Sequence, residues 1–331
     1  MKILTYSALP FNLAHGGVTN IYQRTSDVLR ELGFEVEPLR WWDKDQTGDV
    51  LFCFCRTSND IVDYAKKKGM KVVVEQVLGG LVSRPLWKRR IQKFFKFFLE
   101  KYAPSMMTEA YGWRAFNAAD MHFVPSPHDA RVVSHMFNVS VDKIRVLPYG
   151  VDDAFLNAPR GQRADHLICT ATVTQRKRVL EVAQAASIGK VPLWIVGKTY
   201  GANDDYSEEF HRVVQQSHGI VKHIPHVDGR DALANMLAQS RGFVLLSTME
   251  TVSQSALEAA ACGCPMLLSD LDWARVAFGS NASYCNVDAS PKFMAQKLKN
   301  FHEQCTTFKQ NFKAGSWLEK RGYLRGILNS I

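Results

Sequence analysis

Strand-length apolar runs alternate with helical patterns along this chain, and the alternation starts twice. MKILTYS reads as a first strand, and GGVTNIYQRTSDVLRELG follows with an apolar stripe of Ile21, Val28, Leu29 and Leu32. Gly33 stands where a helix would stop. FEVEPLRWW and DVLFCFC are the next strands. SNDIVDYAKKKG is a helix that leads into the strand KVVVEQV. AADMHFVPS and DKIRVLPYG flank the helix HDARVVSHMFN. Such β-α-β order predicts a parallel sheet with helices on both faces, because parallel neighbours need a crossover connection.

After the turn-rich VDDAFLNAPRGQRAD the pattern begins again with the strand HLICTATV and the helix RKRVLEVAQAAS. PLWIVG, VKHIPHV, GFVLLS and PMLLSD are its further strands. The helices around DYSEEFHRVVQQS, DALANMLAQS and SALEAAACG connect them. A length of 331 residues suits two such domains. The reading is an α/β chain of two doubly wound domains facing a cleft, with bounds 1–151 and 152–311 and a C-terminal helix over 312–331.

Hydrophobic residues make up 46% and charged residues 22%, which suits a chain that buries full cores. The longest apolar runs are strand-length, too short for a bilayer span, and MKILTYSALP carries no export pattern. The seven cysteines show no C-x-x-C spacing, so buried free thiols in a reducing, cytoplasmic compartment are expected. A net charge of +9 points to an anionic partner: a nucleotide phosphate, a membrane surface or nucleic acid.

The stretch ETVSQSALEAAACGCP, Glu250 to Pro265, follows the buried strand GFVLLS. In an open α/β sheet the loop at the C-terminal end of a strand is where ligands bind. A helix starting there offers free N–H groups and a positive dipole end to a phosphate. Thr251 and Ser253 add hydroxyls, and Ala256 with Ala259 to Ala261 keeps the helix slim. Taken alone, the stretch reads first as an ordinary capped helix with an exposed acid.

Its company along the chain adds more. ETVSQSALEAAACGCP resembles the E-x(7)-E signature of retaining glycosyltransferases of GT-B fold, family 4 or group 1 type. HGGVTNIYQRTSDVLRELGFEV is similar to that family's first Gly-Gly loop and helix. AADMHFVPSPHDARVVSHMFNVSVDKIRVLPYGVDDAF resembles the end of its first domain, and HIPHVDGRDALANMLAQSRGFVLLS its nucleotide-binding loop and following strand. FKAGSWLEKRGYLRGIL resembles the tail that crosses back to the first domain. The resemblance implies transfer of a hexose or related sugar from a nucleoside diphosphate to a hydroxyl, with retention and with neither metal nor cofactor. No D-x-D stands at a suitable loop.

Roles then fall on matching positions. Glu250 would meet the donor sugar, and the backbone of Thr251, Val252, Ser253 and Gln254 would hold sugar and phosphate. Glu258 would bind the ribose, and the backbone of His226 and Val227 the base. Gly16 and Gly17 would admit the phosphates to the first loop. In TVTQRKRVLEVAQA, Lys177 matches the family's lysine, but Thr172 stands where an arginine is usual. Arg176 or Arg178 can supply that charge, although Arg178 reads sooner as a solvated helix start. After KVVVEQV relatives carry a histidine or aspartate, where this chain has Glu75 and Gln76. Glu75 is accordingly a candidate catalytic group toward the acceptor, or an acid capping a loop. The histidines His15 and His128 read as structural.

RPLWKRRIQKFFKFFLEKYAP, Arg84 to Pro104, is a basic amphipathic helix with a wide aromatic face. It fits a core helix with phenylalanines on the sheet, a contact with anionic membrane, or a nucleic-acid contact. The expected acceptor is a bacterial surface glycan or lipid-linked precursor, the protein being peripheral at the inner face of the membrane. Alternatives are a modified base in DNA, as for viral glycosyltransferases, and a non-catalytic nucleotide-sugar-binding partner.

Overall fold

A computed structural model describes residues 1–9, 17–104, 108–109, 111–199, 204–308 and 310–331. The chain divides into two units, Met1–Tyr149 with Trp317–Ile331, and Gly150–Ser316. The join at Gly150 and Ser316 differs by a few residues from the expected bounds, because a parallel bridge ties Val151 to Ser316 inside the second unit.

The first unit carries a six-stranded parallel sheet: β1 (Lys2–Ser7), β2 (Glu35–Pro38), β3 (Val50–Phe54), β4 (Lys71–Glu75), β5 (Met121–Val124) and β6 (Ile144–Val146). Its order is β2-β1-β3-β4-β5-β6, so the chain reverses its direction of growth between β1 and β3. Register pairs Ile3 with Val36 on one side and Val50 on the other. VLFCF of β3 is buried throughout, as a strand covered on both faces must be. Phe52 stacks on Phe123 at 5.9 Å between ring centres.

The tail forms two short helices, Trp317–Arg321 and Leu324–Leu328, on the first unit. Arg321, fully buried, binds Glu75 at the end of β4 with two bonds, Nη2 to Oε1 at 2.7 Å and Nη1 to Oε2 at 3.2 Å. The Thr25 hydroxyl, on the helix Gly17–Glu31, also donates to Glu75.

The second unit has the strands β7 (Leu167–Thr170), β8 (Leu193–Val196), β9 (Val221–Ile224), β10 (Gly242–Leu245), β11 (Met266–Ser269) and β12 (Ser283–Cys285). Their order is β12-β11-β10-β7-β8-β9, again all parallel. The chain builds outward from β7 to β9, then returns to the other side of β7 with β10. The β7/β10 junction is therefore the topological switch point, where diverging crossovers leave a crevice at the strands' C-terminal ends. β12 has only three residues and follows no periodic run, so the sequence pattern did not announce it.

The helix Leu86–Tyr102 overturns the core-helix reading. Trp87, Ile91, Phe94, Phe95, Phe97 and Phe98 are all about half or more exposed, whereas Arg89 and Lys96 are buried. Lys96 donates to Glu100 at 2.6 Å and lies over the Trp113 ring, so two cationic stems face the protein and the aromatic rings face outward.

Candidate active site

Two segments meet at the switch point of the second unit. The first is the turn after β7. It closes as a short 3-10 helix over Gln175–Lys177, then passes through Arg178 in the left-handed region at φ 52° before the helix Val179–Gly189. The helix thus begins three residues later than the basic run suggested. Arg178 is buried, and its guanidinium donates to the carbonyls of Val287 and Ala289. That anchoring offsets an unfavourable backbone and takes Arg178 out of the set of phosphate ligands.

The second segment is the loop after β10. Because β7 and β10 are neighbours, the two turns lie side by side, and the Thr248 amide donates to the Arg176 carbonyl at 2.8 Å. Glu250 accepts from the Lys177 ammonium and, at 3.1 Å, from Arg176 Nη1. Arg176 also donates to the Met249 carbonyl at 3.0 Å. Lys177 and Glu250 are mostly buried, so their mutual charge is screened less than at an open surface.

Ser253 then starts the helix Gln254–Ala261, its hydroxyl accepting from the Ala256 amide. This cap satisfies one of the free donors of the first turn and leaves others open. Thr251 Oγ1, Gln254 Oε1 and Thr174 Oγ1 are buried without a hydrogen-bond partner. Unmet polar atoms of this kind have a cost, and a polar ligand would remove it. Val252 is half-buried beside them.

Glu258, two turns into this helix, is buried and meets Arg230 Nη1 at 3.1 Å. Arg230 Nε reaches Asp152 at 3.0 Å, so one guanidinium bridges two acids. Burial pushes the Glu258 carboxyl up to about 7; Arg230 pulls it down and Asp152 raises it, and burial outweighs the guanidinium. Sequence reasoning gave Arg230 and Asp152 no part, although both stand in stretches it singled out. The signal was an arginine at the first position of the helix Arg230–Gln239 beneath the nucleotide-loop pattern.

His226 and Val227 lie in the loop between β9 and that helix, and His226 Nε2 is 2.9 Å from Asp228 Oδ1. Gly17 opens the helix Gly17–Glu31, and an added Cβ there would meet open space; Gly16 and His15 lie outside the described residues. His128 is buried at a helix start, its Nε2 3.3 Å from the Val82 carbonyl, which is a structural placement. Glu75, expected to act toward the acceptor, has its carboxylate buried and engaged by Arg321 and Thr25. Gln76, next to it, binds His122 Nδ1 at 3.0 Å.

Residues 165–304 match the family model described as "Glycosyl transferases group 1". No curated protein gives a significant match. Among solved structures, HepE of Anabaena in complex with UDP is similar over 100% of both chains, with a TM-score of 0.66 and 12% identity. Sucrose-phosphate synthase from Thermosynechococcus elongatus aligns over 99% of this chain and 98% of its own, with a TM-score of 0.63 and 15% identity. WaaG, described as a glycosyltransferase involved in lipopolysaccharide biosynthesis, covers 98% of this chain and 95% of its own, with a TM-score of 0.59 and 12% identity. Residues 165–304, in the second unit, thus resemble a group 1 glycosyltransferase domain, and the whole chain shares the two-domain α/β fold of these GT-B structures.

Proposed function

We propose that the chain transfers a sugar, with retention, from a nucleoside diphosphate to a hydroxyl of a bacterial surface glycan or its lipid-linked precursor. The observation that supports this best is the pairing of Lys177 and Arg176 with Glu250 beside an open helix start at the switch point. A departing nucleoside diphosphate carries negative charge, and two cations plus a helix dipole are what such a leaving group needs. Neither cofactor nor metal is assigned a step. The pyrophosphate would lie over the amides of Thr251 to Gln254, sharing Lys177 with Glu250. Glu250 would accept from sugar hydroxyls and Glu258 from ribose hydroxyls. The acceptor would attack from the face that the diphosphate leaves, its proton passing to a donor phosphate oxygen.

HepE was solved with UDP, with UDP and glucose, and with UDP-glucose, which supports a nucleoside diphosphate sugar as the donor class. For the acceptor, the outward aromatic face of the helix Leu86–Tyr102 supports a site reached from an anionic membrane. Among the described residues no helix is long and apolar enough to cross one. The test is donor turnover: nucleoside diphosphate released from a panel of sugar nucleotides, with and without a lipid-linked glycan. Release that depends on Lys177 and Glu250 supports the reading, and a panel that yields none refutes it.

A further inference from the structure

The helix Leu86–Tyr102 does more than expose apolar surface. Trp87, Ile91, Phe94 and Phe98 recur at spacings of four, three and four residues, which places them on one face. Lys88 flanks that stripe on one side, and Arg90 and Lys101 on the other. All three are exposed, whereas the inward stems are Arg89 and Lys96. A surface for duplex nucleic acid would turn its cations outward and bury its rings. This helix exposes its rings between outward cations, which favours an interface whose depth is apolar and whose rim is anionic.

Beside the stripe a groove of about 310 Å³ opens between this helix and the end of the helix Pro127–Phe137. Phe94 and Phe97 form its apolar wall, and Arg90, Lys93 and His135 its polar one. Lys96 also lines it but is neutralised by Glu100, so the net positive charge comes from Arg90 and Lys93. Burial and the charges of Lys93, Arg89 and Arg90 hold His135 below the usual histidine range, a sign of positive potential there. Phe94 belongs to both the stripe and the groove, so the groove mouth lies at the edge of the inserted face.

We propose that this groove seats the phosphate headgroup of an anionic membrane lipid, with Arg90 and Lys93 on the phosphate and Phe94 and Phe97 against its glycerol and upper acyl chain. The inference rests on the membrane reading of this face and adds to it a defined lipid site.

The experiment is partitioning of the whole chain onto vesicles of phosphatidylcholine alone and of phosphatidylcholine with phosphatidylglycerol, at fixed ionic strength. Binding is expected for the mixed vesicles only. Phe94→Ser with Phe98→Ser should reduce it on the order of tenfold or more. The decisive comparison is between Arg90→Gln with Lys93→Gln and Lys88→Gln with Lys101→Gln, which remove equal charge. The groove pair should lose about tenfold more than the rim pair. Equal losses would overturn the groove while leaving the membrane reading intact; no binding by the parent chain would overturn both. Displacement by inorganic phosphate at constant ionic strength would overturn the bilayer as the source of the headgroup. Salt-sensitive binding to duplex DNA in place of vesicles would overturn the proposal, as would a solution dimer that Phe94→Ser dissociates. Thermal melting of each variant establishes that it is folded.

Discussion

Lys177 and Glu250 hold each other across two adjacent turns, and Arg176 is a second cation on Glu250. In Lys177→Ala the loss of a charge-assisted contact with the diphosphate should weaken nucleotide binding by roughly 10- to 100-fold. In Glu250→Gln binding should fall less and sugar release more, which steady-state kinetics with a sugar nucleotide separates. Glu258 supplies a pH test. Its folded value of about 7 lies above the ordinary carboxylate range, so between those limits the folded chain keeps a proton that the unfolded chain has released. The stability contributed by this group is therefore full below the ordinary range and is lost as pH rises through about 7. Ribose hydroxyls donate to the ionised form, so nucleoside diphosphate affinity should rise roughly tenfold from about pH 6 to about pH 8, beyond whatever Glu258→Gln retains. Identical pH profiles in both proteins would remove Glu258 from the ribose site.

At the scale of elements, the strands and most crossovers were legible because each is a continuous apolar run between helical periods. The motif after GFVLLS was legible because a strand end, a cap and small residues coincide there. The turn at Gln175 to Arg178 was not, since RKR reads as the start of a helix. The carbonyls of Val287 and Ala289, more than a hundred positions away, help hold Arg178 in its left-handed conformation. The same blindness to distant partners hid the pairing of Glu75 with Arg321 in the tail. The aromatic helix failed for another reason: periodicity predicts a face, and burial of that face is a separate fact. Gly197 ends β8 at a close approach, where an added Cβ would lie 2.1 Å from the Ala171 carbonyl oxygen. Gly197→Ala should cost about 1–3 kcal/mol in denaturant unfolding and disturb the turn that carries Lys177.

At the scale of the molecule, the first unit is completed by residues from both ends of the chain. The Arg321–Glu75 pair fastens the tail to the end of β4, and its two side chains are almost wholly buried. Arg321→Met leaves an uncompensated carboxylate and should destabilise this unit by about 3–5 kcal/mol. Arg321→Met with Glu75→Leu should recover most of that loss, as read by chemical denaturation. Retained activity in the double variant would show that Glu75 has no chemical part. In the second unit the order β9-β8-β7-β10-β11-β12 sets the switch point, and the switch point brings two sequence motifs together. That convergence is the central claim, and calorimetric titration of the whole chain with a nucleoside diphosphate tests it most directly. One site that weakens at least about tenfold in Lys177→Ala and again in Glu258→Gln is the predicted result; undiminished affinity in both variants, at wild-type thermal stability, would contradict it.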